Sequence, residues 1–423
     1  MQKKTDDTAR SDAGRSDFYG LGIAPGILDI LDRSGFKAPT PIQVKTIPPG
    51  IEGSDVVGIA QTGTGKTHAF AIPMIQRLSM KKGVGLVIAP TRELAIQIEE
   101  VFKTMARPFG MTTVCLIGGA PMSPQIKGLR GKPGVVIATP GRLIDHIGQK
   151  NFKPGGVSIL VLDEADRMFD MGFAPQINEI LRHVPRDRQT MLFSATMPAE
   201  ILEIAAKNMN LPVAVEVAPR GSTVENVSQE LYIVRKQDKM VLLGKILARH
   251  HGSVLLFSRT KHRTRKLATE LRKMGQSAAE IHSDRTLGQR RAALEGFKTG
   301  KFRVLAATDV ASRGIDVSGI ELVLNYDLPE DADSYVHRIG RTARAGRKGR
   351  AISFAEPEQG SKVREIEKLI RRTIRVSTQP GMAGVQFDRA AKKPARSGGR
   401  PYAKKTGAGN YPPGRKPRSR RKK

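Results

Sequence analysis

The sequence predicts an α/β fold of two tandem domains, each a parallel sheet covered by helices, followed by a basic C-terminal tail. Short runs that are apolar throughout recur along the chain and alternate with helical or polar segments. Such runs suit strands buried on both faces, the condition of a parallel sheet. A texture rich in Pro, Gly, Ser and Thr between residues 211 and 227 divides these runs into two series. At 423 residues the chain also exceeds what one ordinary core supports.

Residues 1–17 alternate charge with Ser, Thr and Gly, lack the apolar core of a signal peptide, and are expected to be disordered. The first domain is placed at 18–218. It opens at Phe18, has helical spacing over 25–34, and passes through Pro39-Thr40-Pro41-Ile42-Gln43, where the prolines favour extended backbone. The Gln43 amide can bond a purine edge, although a buried or capping role is the commoner use of such a residue. Strands are expected at 55–60, 85–89, 113–117, 135–138, 159–162 and 190–193, with a helix over 68–78. The later runs end in polar signatures: Pro90-Thr91-Arg92-Glu93-Leu94, Gly118-Gly119, Thr139-Pro140-Gly141-Arg142, Asp163-Glu164-Ala165-Asp166 and Ser194-Ala195-Thr196. Ligands of parallel α/β sheets sit at the carboxyl ends of strands, so these signatures mark the candidate site.

A linker is placed at 219–223 and the second domain at 224–377, with strands at 231–234, 254–257, 304–306, 322–325 and 351–354 and helices over 261–274, 289–298 and 362–370. No glycine-rich phosphate loop occurs in this half. Residues 378–423 read as a disordered basic tail: the stretch 389–423 carries fourteen Lys or Arg, and no acidic residue follows Asp388. Tyr402 and Tyr411 are available there to stack on bases.

Lys and Arg outnumber Asp and Glu by 71 to 40, a net charge of +31, which implies a polyanionic partner, with nucleic acid the default. The one cysteine, Cys115, lies in an apolar run, so no intramolecular disulfide forms; it reads as a small core residue in a reducing cytoplasm. No apolar run approaches the roughly 20 residues that span a bilayer.

The stretch Ala60-Gln61-Thr62-Gly63-Thr64-Gly65-Lys66-Thr67, between a strand and a helix, is a phosphate cradle. Its backbone N–H groups point at an anion, Lys66 reaches the β and γ phosphates of ATP, and the Thr67 hydroxyl ligates Mg²⁺. Asp163 at the end of a buried strand would hold Mg²⁺ opposite Thr67, and Glu164 would orient or deprotonate the attacking water. Arg338, Arg341 and Arg344 are spaced by three, so on a helix they share one face. Arg341 and Arg344 are the expected fingers supplied by the second domain, while an RNA-facing or solvated role suits Arg338 or Arg347 better. ATP would then be enclosed only when the domains close.

These motifs together resemble the DEAD-box ATP-dependent RNA helicases of superfamily 2 over residues 18–376, with wording nearest the bacterial RhlE-like subgroup. Phe18 with Gly35-Phe36 and Pro41-Ile42-Gln43 is similar to the Q motif, 60–67 to motif I, 163–166 to motif II and 194–196 to motif III. Thr308 to Asp316 is similar to motif V, and His337 to Arg344 to motif VI. The resemblance implies tandem RecA-like domains, adenine recognition by Phe18 and Gln43, ribose contact by Asp316, and coupling of hydrolysis to closure through Ser194, Thr196 and His337. It also implies RNA held by its backbone at Thr91, Arg92, Gly119, Thr139 and Arg142 on one domain and at Arg290 and Thr308 on the other, with local unwinding of duplexes. A ribonucleoprotein or RNA-degradation assembly fits such a protein. Two departures stand out: Ala343 replaces the usual Gly of motif VI, where a helix is expected to tolerate the methyl, and Leu287 stands where the family commonly has Gln. The competing readings are an RNA chaperone or annealing scaffold acting through its basic tail, and a DNA-directed motor.

Overall fold

The computed structural model of the chain describes residues 17–61, 63–217, 227–309, 319–343, 348–378 and 384–387. The first sheet contains β1 Val56–Ile59, β2 Val84–Ile88, β3 Thr113–Leu116, β4 Val135–Ala138, β5 Val157–Leu162, β6 Gln189–Ser194 and β7 Val213–Glu216. The second contains β8 Val227–Ile233, β9 Val254–Phe257, β10 Ala278–Ile281, β11 Val304–Ala307, β12 Leu322–Asn325, β13 Gly349–Ala355 and β14 Arg375–Val376. All paired neighbours are parallel. The orders are β3-β4-β2-β5-β6-β1-β7 and β10-β11-β9-β12-β13-β8-β14, the same topology twice.

Both faces of each sheet are buried, as the continuous apolar runs require. In the first sheet Val87, Ile137 and Val161 enter one core layer with Phe70, Phe102 and Phe193, while their neighbours Leu86, Val136 and Leu160 enter the other with Leu143 and Ile180. Phe70 and Phe193 meet with ring centroids 5.5 Å apart. Every expected strand is present. The three strands absent from the sequence reading lack the signal it used: β7 is an edge strand with three of four residues exposed, β10 reads Ala-Ala-Glu-Ile and buries Glu280 against Arg285, and β14 has two residues. The helix Pro41–Glu52 was also hidden, because Pro48 and Pro49 lie inside it.

Cys115 is half-buried, and burial pushes its thiol up to about 12, in keeping with a packing role. Of the expected disordered segment 1–17, residues 1–16 lie outside the described residues while Asp17 opens a 3-10 helix, Asp17–Leu21; the linker 219–223 and residues 388–423 also lie outside the described residues. Residues 384–387 do not fit a tail leaving the fold at 378: Phe387 packs on the core layer of Val363 and Ile366 and lies against Gly360. No described helix is long and apolar enough to cross a membrane.

Candidate active site

The phosphate cradle leaves the carboxyl end of β1 and enters the helix Lys66–Met80, whose N-cap is Gly65. Gly63 and Gly65 have φ of +82° and +88°. A Cβ on Gly65 would also fall 2.5 Å from Gln43 Nε2, so only glycine fits. Ala60 N donates to Ser194 O at 2.9 Å, and Thr64 Oγ1 donates to Gln61 O at 2.7 Å. Thr62 lies outside the described residues. Gln43 is 3% exposed; its Oε1 accepts from Thr40 N as part of a capping box, and its Nε2 donates to Gly65 O at 3.0 Å. The capping role and a contact with the cradle therefore coexist. Phe18 is 1% exposed within the core, and the aromatic ring at the cleft is instead Phe36, 4.6 Å from the His68 ring.

Gly63, Gly65, Lys66, Thr67, Asp163 and Glu164 line one cleft of about 540 Å³, and Arg341 reaches it from the second sheet unit. Lys66 Nζ is buried with no hydrogen-bond partner among the described residues. A buried ammonium in that state fits an anionic ligand. Burial pushes Asp163 up to about 7, against the pull of Lys66. Glu164 adopts left-handed backbone, φ +51° and ψ +51°; its Oε2 has no hydrogen-bond partner among the described residues, although Arg167 Nη1 lies 3.4 Å away. Asp166 ties the acidic motif to the next one: Ser194 Oγ accepts from Asp166 N at 3.1 Å, and Asp166 Oδ2 accepts from Ala195 N, Thr196 N and Thr196 Oγ1 at 3.0–3.2 Å. Burial raises Asp166, but Lys66, His337 and Arg167 outweigh it and hold the carboxyl below its ordinary range.

His337 therefore lies in the electrostatic field of Asp166 although it belongs to the second unit. Burial and the Arg167 guanidinium lower its pKa to about 4, with Asp166 opposing. The basic motif is not one helical face. Its helix, Ala332–Ile339, ends before Arg341, which is 4% exposed beside Arg167 and His337. Arg338 is 2% exposed and tied to Asp309, Asn325 and Asp327, so the solvated or RNA-facing role does not apply to it. Arg344, Arg347 and Asp316 lie outside the described residues. Ala343 takes φ +56° instead of helical backbone, which explains why glycine is usual there. Left-handed backbone costs an L-residue about 1–2 kcal/mol, and glycine returns about half of that as chain entropy. Ala343→Gly is expected to raise stability by up to about 1 kcal/mol, seen as a small rise in the thermal midpoint; a fall would show that packing of the methyl outweighs the strain.

The candidate RNA residues of the first unit gather at the carboxyl ends of β2, β3 and β4. Thr91 is 6% exposed and caps the helix Arg92–Ala106 by accepting from Leu94 N, so its hydroxyl serves the fold. Arg92 packs across Gly118 and Gly119, where φ is +74° at Gly119. Thr139 N donates to Leu116 O, and Arg142 Nη1 donates to Ala120 O at 3.0 Å. Gln125 and His146, which carry no signature in the sequence, lie directly behind this loop. Arg290, expected at RNA, is 7% exposed and pairs with Glu93 across the two units at 2.9 Å. Burial raises the pKa of the Glu93 carboxylate, and Arg290 opposes that shift without cancelling it. Leu287 packs against the core layer of the first unit, so the missing Gln is replaced by an apolar contact between units. Thr308 follows β11 and is half-buried.

A phosphate cradle on one RecA-like sheet, faced by an arginine from a second sheet of the same topology, defines a tandem-domain P-loop NTPase. The DEAD/DEAH box helicase family matches residues 40–204, and the helicase conserved C-terminal domain matches residues 238–346. The DEAD-box ATP-dependent RNA helicase CshA of Geobacillus kaustophilus is 42% identical over 360 residues, 84% of this chain and 77% of that protein. The ATP-dependent rRNA helicase RRP3 of Scheffersomyces stipitis is 41% identical over 87% of this chain and 77% of its own length. Among solved structures, S. cerevisiae Dbp5 bound to RNA and ADP BeF3 aligns with TM-score 0.77 and 30% identity, covering 86% of this chain and 95% of that one. The chain belongs to the DEAD-box ATP-dependent RNA helicases. The RhlE-like subgroup expected from the sequence is not supported by these relatives, of which the bacterial one named here is a CshA.

Proposed function

We propose that the chain couples ATP binding and hydrolysis to closure of its two units on RNA and thereby to local, non-processive unwinding or remodelling of RNA duplexes. The observation that carries this reading is one cleft lined by Lys66, whose ammonium has no hydrogen-bond partner among the described residues, by Asp163 and Glu164, and by Arg341 from the other unit. Lys66 neutralises the phosphates, and Glu164 orients the water and takes its proton. Arg341 with Arg344 offsets the charge that develops on the γ-phosphate. Thr67 and Asp163 would hold Mg²⁺, which when bound screens the β and γ phosphates. Asp166, bonded to Ser194 and Thr196 and facing His337, links the cleft to the unit interface.

In this reading 18–218 binds ATP, 219–223 links, 224–377 is the helicase C-terminal unit, on which 384–387 also pack, and 388–423 tethers the chain to RNA. Work in the cytoplasm on ribosome assembly or RNA turnover, within a ribonucleoprotein or RNA-degradation assembly, fits this chemistry. The bound RNA named for the Dbp5 structure and the names of the relatives support the substrate class.

The fourteen basic residues of 389–423 favour the chaperone or annealing reading as the alternative. Deleting 388–423 separates the two. The helicase reading expects ATP-dependent unwinding to survive with weaker RNA affinity, and the chaperone reading expects nearly all activity to vanish. Equal stimulation of ATP hydrolysis by single-stranded DNA and RNA would instead favour a DNA-directed motor.

A further inference from the structure

Gln125 sits behind the surface loop that follows β3 and is 5% exposed. Its Nε2 donates toward three backbone carbonyls of that loop, Pro121 at 3.0 Å, Ile117 at 3.2 Å and Ala120 at 3.4 Å. On its other side Oε1 faces Nε2 of the fully buried His146 at 3.3 Å. Three carbonyls fix which end of the amide donates, so Oε1 accepts and His146 carries its hydrogen on Nε2. Burial and then Arg142 lower the His146 pKa, which keeps the imidazole neutral and able to play this part. The loop has a second brace, since Ala120 O also accepts from Arg142 Nη1 at 3.0 Å.

The consequence is electrostatic. Three carbonyl lone pairs are turned inward around one amide, so the exposed Gly119 and the half-buried Arg92 and Arg142 beside it, not those carbonyls, set the potential at the outer side of the loop. With the donor removed, the buried Ile117 carbonyl would lose a hydrogen bond and the part-buried Pro121 and Ala120 carbonyls would lose their inward anchor, Ala120 keeping only Arg142, so that they turn toward water. They would then face an incoming polyanion with negative potential. We propose that Gln125, held from behind by His146, is a positioning residue for the RNA backbone, keeping the Ile117–Pro121 carbonyls away from the phosphates that Arg92 and Arg142 meet. This rests on the reading of that surface as the RNA path.

ATP hydrolysis by the full chain, titrated with a structured RNA, tests it. Gln125→Met keeps length and volume but has no donor, and is expected to raise the RNA concentration for half-maximal rate by roughly tenfold. The maximal rate at saturating RNA and the KM for ATP are expected to stay unchanged, because the cleft is untouched. His146→Phe, which removes only the rear hydrogen bond, is expected to shift the same quantity less and guards against a Gln125 variant that fails to fold. Arg142→Ala separates the layers of inference. If Arg142→Ala raises the half-maximal RNA concentration and Gln125→Met does not, the positioning role is overturned and the RNA path stands. If neither moves it, the RNA path itself is wrong. A fall in maximal rate and a higher KM for ATP in Gln125→Met would mean a general structural role and would also overturn the proposal.

Discussion

Replacing Glu164 by Gln is expected to lower RNA-stimulated ATP turnover by roughly 10²–10⁴-fold, the usual contribution of a positioned general base. Binding of ATP is expected to survive, because the cradle glycines and Lys66 are untouched. The position argues for this outcome. Glu164 occupies left-handed backbone two residues past β5, next to Asp163, and lines the cleft, and its Oε2 has no hydrogen-bond partner among the described residues, only the Arg167 guanidinium at 3.4 Å. A carboxylate kept only for structure would be expected to have its lone pairs satisfied. Stopped-flow measurement of phosphate release checks the rate, and equilibrium binding of a fluorescent ATP analogue checks the binding. A variant that lost binding along with turnover would show that Glu164 shapes the site instead of acting in it.

Arg338→Ala is expected to cost the second unit about 3–5 kcal/mol, the size seen when one partner of a buried pair is removed. Arg338 makes a two-point contact with Asp309, Nε to Oδ1 at 2.5 Å and Nη2 to Oδ2 at 2.7 Å. Its Nη1 donates to Asn325 Oδ1 at 3.1 Å and to Asp327 O at 2.7 Å, and its guanidinium lies 5.0 Å from the Phe257 ring centre. One side chain thus joins β9, β12 and the residue after Thr308. Lysine cannot reproduce this planar fork, so Arg338→Lys should recover little. Urea unfolding reads the loss as a lower midpoint. A loss under about 1 kcal/mol would return Arg338 to the class of surface charges.

Arg338 also shows where sequence reading stops. The spacing of Arg338, Arg341 and Arg344 suggests one helical face, but the helix ends at Ile339, which sends Arg338 into the core and Arg341 to the cleft. The three-residue spacing gives no warning of that ending; the stop signal is Gly340, the C-cap, which the spacing argument passed over. The strands were legible because a sheet buried on both faces demands apolar residues at every position, as at Val135–Ala138. The cradle was legible because positive φ at Gly63 and Gly65 demands glycine. Contacts between the units were not legible: the Arg290–Glu93 pair and the packing of Leu287 depend on how two sheets distant in sequence meet. Gln125 and His146 were missed for a related reason, since a second layer of hydrogen bonds has no spacing of its own.

The central claim is that the catalytic cleft works when the two units close on RNA, and ATP hydrolysis by the full chain with and without a structured RNA tests it most directly. The account predicts a rate that rises severalfold or more with RNA and that falls to the basal level in Arg341→Ala at saturating RNA. A rate indifferent to RNA, or stimulation that persists undiminished without Arg341, would contradict it.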